Sequence, residues 1–107
     1  MDTDNYTIKF TAHAYKDLEN IFEYISKNLY APQAANRIMN MLDDSINSLS
    51  AQPFIAPLIS DDFLAAKGLR KLVAEDYIVI YKVIKEACEI IIYRIVNGRT
   101  DYINLLK

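Results

Sequence analysis

The stretch GLRKLVAEDYIVIYKVIKEACEIIIYRIVNGRTDYINLL, Gly68 to Leu106, decides the fold. Two β-branched runs, Tyr77–Ile84 and Glu89–Val96, are joined by a short polar turn, and a third apolar segment, Leu69–Val73, precedes them. Such residues suit a pleated, partly buried surface, so three strands in a meander are expected. In the middle run Tyr77, Val79, Tyr81 and Val83 face one way, and Ile78, Ile80, Lys82 and Ile84 the other. Apolar residues on both faces mark a central strand. In the last run Ile91, Tyr93 and Ile95 alternate with Ile90, Ile92, Arg94 and Val96. Asn97-Gly98 then signals a turn. The tail Arg99–Lys107 carries Tyr102, Ile103, Leu105 and Leu106, apolar enough to dock on the body.

Upstream, Tyr6–Phe10 alternates Tyr, Ile and Phe with Thr and Lys, the pattern of a half-buried strand. Thr11 is placed to cap a helix running to about Lys27. Leu18, Ile21, Phe22, Ile25 and Leu29 form its apolar stripe at helical spacing. Asn28 suits the left-handed geometry of a helix end. Pro32 opens a second helix, since proline is tolerated at a first helical position. That helix runs to about Ser50, with Ala35, Ile38, Leu42, Ile46 and Leu49 as its stripe. A short connection makes the two helices an antiparallel hairpin. Gln52–Lys67, with Pro53, Pro57, Asp61 and Asp62, reads as an irregular surface excursion.

The element order is therefore β-α-α-β-β-β over one domain, residues 1–107. The expected class is α+β: an antiparallel sheet with an N-terminal helical hairpin packed on one face. Ile21, Ile25, Ile38, Leu42, Ile80 and Ile92 are expected in the core.

Composition excludes several functions. The lone Cys88 cannot form an internal disulfide, which suits a reducing cytoplasm; it reads as a small buried residue near a strand start. The acidic start MDTDNYTIKF lacks the apolar segment of a signal peptide. No apolar run approaches the ~18 residues of a membrane span. One histidine, His13, and one cysteine make no zinc site, and two glycines make no phosphate loop. No cofactor or metal is expected.

Net charge is −2, which does not suit a dedicated nucleic-acid binder. The charge is uneven, though. Residues 1–66 hold four cations against nine carboxylates, and residues 67–107 eight against five. The strand-rich half is basic and can orient an anionic partner, or these charges merely solvate the rims of the sheet. Arg70, Arg94 and Arg99 interrupt apolar strand material, where guanidiniums do nothing for a core. The tyrosines Tyr77, Tyr81, Tyr93 and Tyr102 either build a binding face or fill and rim a small core.

Nearly the whole chain resembles the RelE/ParE superfamily of toxins from bacterial type II toxin–antitoxin systems. YTIKFTAHAYKDLENIFEYI resembles that family's first strand, cap and helix, carried by Ala14, Asp17 and Leu18. The second helix ends in a similar pattern at Leu49 and Pro53. GLRKLVAEDYIVIYKV resembles the family's Arg-x-Leu-Val strand, turn and Tyr-x-x-x-Tyr strand, here Arg70, Leu72, Val73, Tyr77 and Tyr81. The close of the chain resembles its Gly-Arg-x-Asp-Tyr tail, here Gly98, Arg99, Asp101 and Tyr102.

The resemblance implies a cognate antitoxin partner, a toxin–antitoxin hetero-oligomer and a role in growth inhibition or plasmid stabilisation. It leaves two branches: ParE-like toxins that inhibit DNA gyrase, and RelE-like toxins that cleave mRNA on the ribosome. Cleavage by 2′-OH attack needs a base, cations for the phosphorane and an acid. Where the RelE-like branch has an Arg after the Tyr that opens the central strand, this chain has Ile78. The expected tail Tyr or His falls near Leu105. The sequence pI of about 5.3 also forfeits phosphate attraction. The ParE-like branch is favoured. Target- and partner-binding candidates are Arg70, Lys71, Tyr77, Tyr81, Arg94, Arg99 and Tyr102. In a nuclease, catalysis would fall to Arg99, Tyr102 and Arg70.

Overall fold

The computed structural model describes residues 5–107. Residues 1–4, part of the acidic start on which the leaderless reading rests, lie outside them. Strand β1 (Thr7–Phe10) leads into helix α1 (Ala12–Glu23), which widens into a π turn at Tyr24–Asn28. Helix α2 (Pro32–Asn47) follows and ends in a 3-10 turn at Ser48–Ser50. The chain then passes through a short helix α3 (Asp62–Ala66) to β2 (Leu69–Ala74), β3 (Tyr77–Ile84), β4 (Glu89–Asn97) and a tail helix α4 (Tyr102–Leu106).

The strands lie in the order β1-β4-β3-β2. β2, β3 and β4 form the expected antiparallel meander. β1, however, pairs parallel with β4, Ile8 opposite Ile90 and Phe10 opposite Ile92. The sheet is thus mixed, which corrects the antiparallel expectation. β2 and β4 each run antiparallel to β3, so β1, parallel to β4, runs in the sense of β2 as well.

Thr11 is the cap that the sequence predicts, and it does more than cap. Its Oγ1 accepts from the Ala14 N–H at 3.0 Å and donates to the Tyr93 carbonyl at 2.9 Å. Its own N–H reaches the Ile92 carbonyl at 3.0 Å. One residue therefore satisfies a helix start and docks it on β4. Asn28 does not take the left-handed turn; Tyr30 does, at φ 51°. The π turn is the reason, since Leu29 N–H reaches back five residues to Tyr24 and Ala31 N–H six to Ile25. The wider winding carries the reversal two residues further.

The hairpin covers one face of the sheet. Ala14, Ala35, Leu42 and Leu49 are fully buried against Val79, Tyr81, Ile90 and Ile92. Ile25 and Ile38 join them, and Ile21 packs at the margin. Each Leu, Ile or Val side chain fully withdrawn from water here contributes about 1.5–3 kcal/mol. On the opposite face Ile59, Leu64, Leu69, Ile78, Ile80 and Val96 form a smaller cluster, closed by Tyr102, Ile103 and Leu106. The tail docks as expected. The excursion is less irregular than expected, because Asp61 caps α3 by accepting from the Leu64 N–H at 3.1 Å. Asp61 also meets Lys107 at 3.0 Å, tying the end of the chain to α3. That cation, with the Leu64 N–H, holds the Asp61 carboxyl below its usual range.

β4 departs from simple alternation. Ile80 pairs with Arg94 but Tyr81 with Ile92, leaving Tyr93 as the extra residue of a bulge. Ile95 consequently joins Ile90 and Ile92 on the helical face rather than siding with Ile91. The insertion shifts the period-two pattern by one residue. Cys88 is not buried. It sits exposed in the β3–β4 turn at φ 52°.

Candidate functional site

The seven candidate residues fall into four places. Tyr81 is in the core, with no exposed surface, its hydroxyl donating to the Pro53 carbonyl at 2.9 Å. Burial pushes its pKa up. It faces the hairpin and offers no contact surface, which corrects its reading as a binding residue in favour of the core alternative. Its cross-strand neighbour Arg70 donates from Nη1 to the Ala56 carbonyl at 2.7 Å and lies 5.0 Å from the Phe54 ring. Backbone bonds from Ile59 to Leu69 (2.9 Å) and from Lys71 to Pro57 (3.1 Å) fasten the same excursion to β2. Arg70 is spent on holding that loop to the edge of the sheet.

Arg94 occupies a second place. Beyond Phe10 the strand β1 ends, and the second half of β4 would carry unpaired N–H groups at that edge. Asp17 of α1 fills the gap. Its carboxylate accepts from Arg94 Nε at 2.8 Å, from Arg94 Nη2 at 3.0 Å and from the Ile95 N–H at 2.9 Å. The two side chains retain 19% and 12% of their exposure. Hydrogen bonding to Asp17 raises the Arg94 pKa, so the guanidinium stays charged. The bidentate fork sets the angle of α1 against the strand. His13, near the start of α1, is exposed beside Tyr93 and Arg94.

The third place is the contact of Lys71 with Tyr102, the ammonium 5.7 Å from the ring centre. Both are half-buried where α4 crosses the sheet.

The fourth is a cavity. At the end of the sheet, the β2–β3 turn and the residues after β4 enclose a cleft of about 540 Å³ that brings Tyr77 and Arg99 together. Val73 and Ile78 supply apolar wall, and Glu75 and Asp76 supply carboxylates. Ile78 is 7% exposed. Burial, and next the Asp76 charge, raise the Tyr77 pKa, so its phenol stays protonated. Two devices hold the turn that carries the carboxylates. Arg37 of α2 meets Glu75 through both carboxylate oxygens, at 3.2 and 3.3 Å. The Gly98 N–H donates to the Asp76 carbonyl at 2.7 Å. A Cβ at Gly98 would stand 3.2 Å from that oxygen, which accounts for glycine there. Arg99 is exposed, its backbone N–H bonded to Asn97 Oδ1 at 2.9 Å and its guanidinium in no ion pair among the described residues.

Glu75, Asp76 and Asn97 were not among the sequence candidates. The only signal for them is that Glu75-Asp76 links two strands whose end meets the Asn97-Gly98 turn. Chemically, the cleft offers the Arg99 cation, the Asp76 carboxylate, a Glu75 carboxylate already paired with Arg37, and a neutral phenol. A phosphorane needs concentrated positive charge, and this cleft dilutes it. Among the described residues no trio of His, Cys, Asp or Glu is arranged to hold a metal. No helix among them is long and apolar enough to cross a membrane.

Comparison with known proteins places this geometry in a family. The profile described as ParE toxin of type II toxin-antitoxin system, parDE, matches residues 8–102. Among curated protein sequences none is significantly similar. Among solved structures, the chromosomal ParDE system from P. aeruginosa is 21% identical, with 89% of this chain and 98% of that chain covered and a TM-score of 0.71. The RelBE2 toxin–antitoxin complex from Mycobacterium tuberculosis is 18% identical, with coverage of 87% and 98% and a TM-score of 0.62. A substituted E. coli RelE toxin in the free state is 14% identical, with coverage of 94% and 92% and a TM-score of 0.62. At these identities the structures bear on the fold alone, while the family profile spans most of the chain. The chain belongs to the ParE toxin family of type II toxin–antitoxin systems.

Proposed function

We propose that this toxin inhibits growth by binding a protein target such as DNA gyrase, without cleaving RNA, and that a cognate antitoxin neutralises it in the cytoplasm. The antitoxin reading draws on the family and on the ParDE and RelBE2 systems whose folds the chain shares. The choice of branch rests on one observation. The cleft that presents Arg99 is walled by the carboxylates of Glu75 and Asp76 and by buried Ile78. Arg37 already pairs Glu75, and Asp76 offsets Arg99, so little net positive charge is left to hold a phosphodiester, and Ile78 can neither donate nor accept a proton. Arg70 and Arg94 add no free cation, since one is bonded to Ala56 and the other to Asp17. Arg99 then serves as a docking group for a carboxylate or backbone oxygen of a protein, a role that suits a planar guanidinium.

Induced expression in cells without the antitoxin tests the reading. Filamentation with induction of the DNA-damage response is expected, together with loss of gyrase supercoiling by purified toxin. Immediate arrest of translation with intact supercoiling contradicts it and favours the RelE-like alternative.

A further inference from the structure

The cleft holds two opposite charges that do not meet. The Gly98 N–H and the Asp76 carbonyl are 2.7 Å apart, so Arg99 and Asp76 stem from backbones in contact. Yet among the described residues the Arg99 guanidinium and the Asp76 carboxylate form no ion pair with each other or with anything else. Both side chains are exposed and both line the cleft. Neighbouring opposite charges that stay apart leave two separated docking points, one for an anion and one for a cation. The brace from Arg37 to Glu75 and the bond from the Gly98 N–H to the Asp76 carbonyl hold the backbones from which both side chains rise. Val73, 63% exposed, gives the cleft an apolar wall on the β2 side.

We infer that this cleft is a charge-reading subsite for the antitoxin, in which Arg99 takes a carboxylate and Asp76 takes a Lys or Arg of the same antitoxin segment. The inference rests on the antitoxin reading above and deepens it. An occupant with only one sign of charge would leave one wall unmatched. A segment carrying both signs matches each wall and is discriminated from one with the charges exchanged, because like charges would then face each other. Arg99 and Asp76 are thereby specificity-determining residues: they select which antitoxin binds, whereas the apolar contacts set how tightly.

The test uses the full toxin and the antitoxin encoded beside it, with affinity measured by calorimetry. Arg99→Glu and Asp76→Lys should each weaken binding at least tenfold. Reversing the matching charge in the antitoxin should recover most of each loss. Asp76→Asn should weaken binding less than Asp76→Lys. Glu86→Lys, on the exposed far turn, should bind as wild type. Unchanged melting temperatures show that the variants fold, and the Asn variant supplies the answer should the Lys variant not fold. Wild-type affinity in Arg99→Glu and Asp76→Asn would overturn the subsite while leaving the antitoxin reading intact. A wild-type toxin that does not bind its neighbour's product at all would overturn both.

Discussion

Two arginines five residues apart near the end of the same sheet do opposite jobs. Arg94 is closed in: three hydrogen bonds converge on Asp17 from its guanidinium and the adjacent Ile95 N–H, across 77 and 78 residues of sequence. Arg99 stands open, its guanidinium bonded to nothing among the described residues, on the rim of a cleft with two carboxylates. The same side chain is a structural brace in one place and a contact group in the other. What separates them is where β1 stops. It ends at Phe10, so β4 has an unpaired edge at Ile95 for Asp17 to satisfy. Past Asn97 there is no strand left to brace.

The largest effect should come from Asp17→Ala. It leaves a mostly buried guanidinium and a strand N–H without a partner, and should cost about 3–5 kcal/mol, the usual result of breaking a buried pair from one side. Denaturant titration measures it; a loss below about 1 kcal/mol would place the pair among weak surface bridges and erase the contrast with Arg99. Leu42→Ala gives an apolar yardstick on the opposite helix. Leu42 is fully buried, so about 2–5 kcal/mol should be lost in the same titration. Tyr81→Phe removes only the hydroxyl that bonds Pro53 and should cost about 1 kcal/mol. It should leave antitoxin affinity unchanged, since Tyr81 has no surface to offer. Arg99→Ala should be smallest in stability, within about 0.5 kcal/mol, as exposed substitutions usually are. Toxicity should nevertheless fall. A melting temperature that drops in step with toxicity would make Arg99 a structural anchor of the tail, as Arg94 is a brace of α1.

The meander was legible because Tyr77–Ile84 is apolar on both faces and Asn97-Gly98 ends the last strand. Thr11, Pro32 and the two helical stripes were legible for the same reason: each signal is local. The bulge at Tyr93 was not, because no Gly or Pro marks it, and it moved Ile95 to the other face. Nor was the direction of β1, since the order of elements does not say which edge a strand joins. Tyr81 reads from sequence as either binding face or core, and only the Pro53 carbonyl, 28 residues away, decides for the core. Arg94 was visible as a misplaced charge, while Asp17 was visible only as a family resemblance. The cleft itself was half legible: Tyr77 and Arg99 were candidates, but Glu75 and Asp76 join them only once β3 and β4 are paired.

If the Arg99 cleft meets a protein rather than RNA, as proposed, purified toxin should leave ribosome-bound mRNA whole. Primer extension on mRNA incubated with ribosomes and purified toxin reads this out. Intact mRNA is expected with wild type and with Ile78→Arg, which restores a cation but neither acid nor base. Codon-position-specific cuts by wild type, lost in Arg99→Ala or Tyr102→Phe, would contradict the claim and assign the toxin to the nuclease branch.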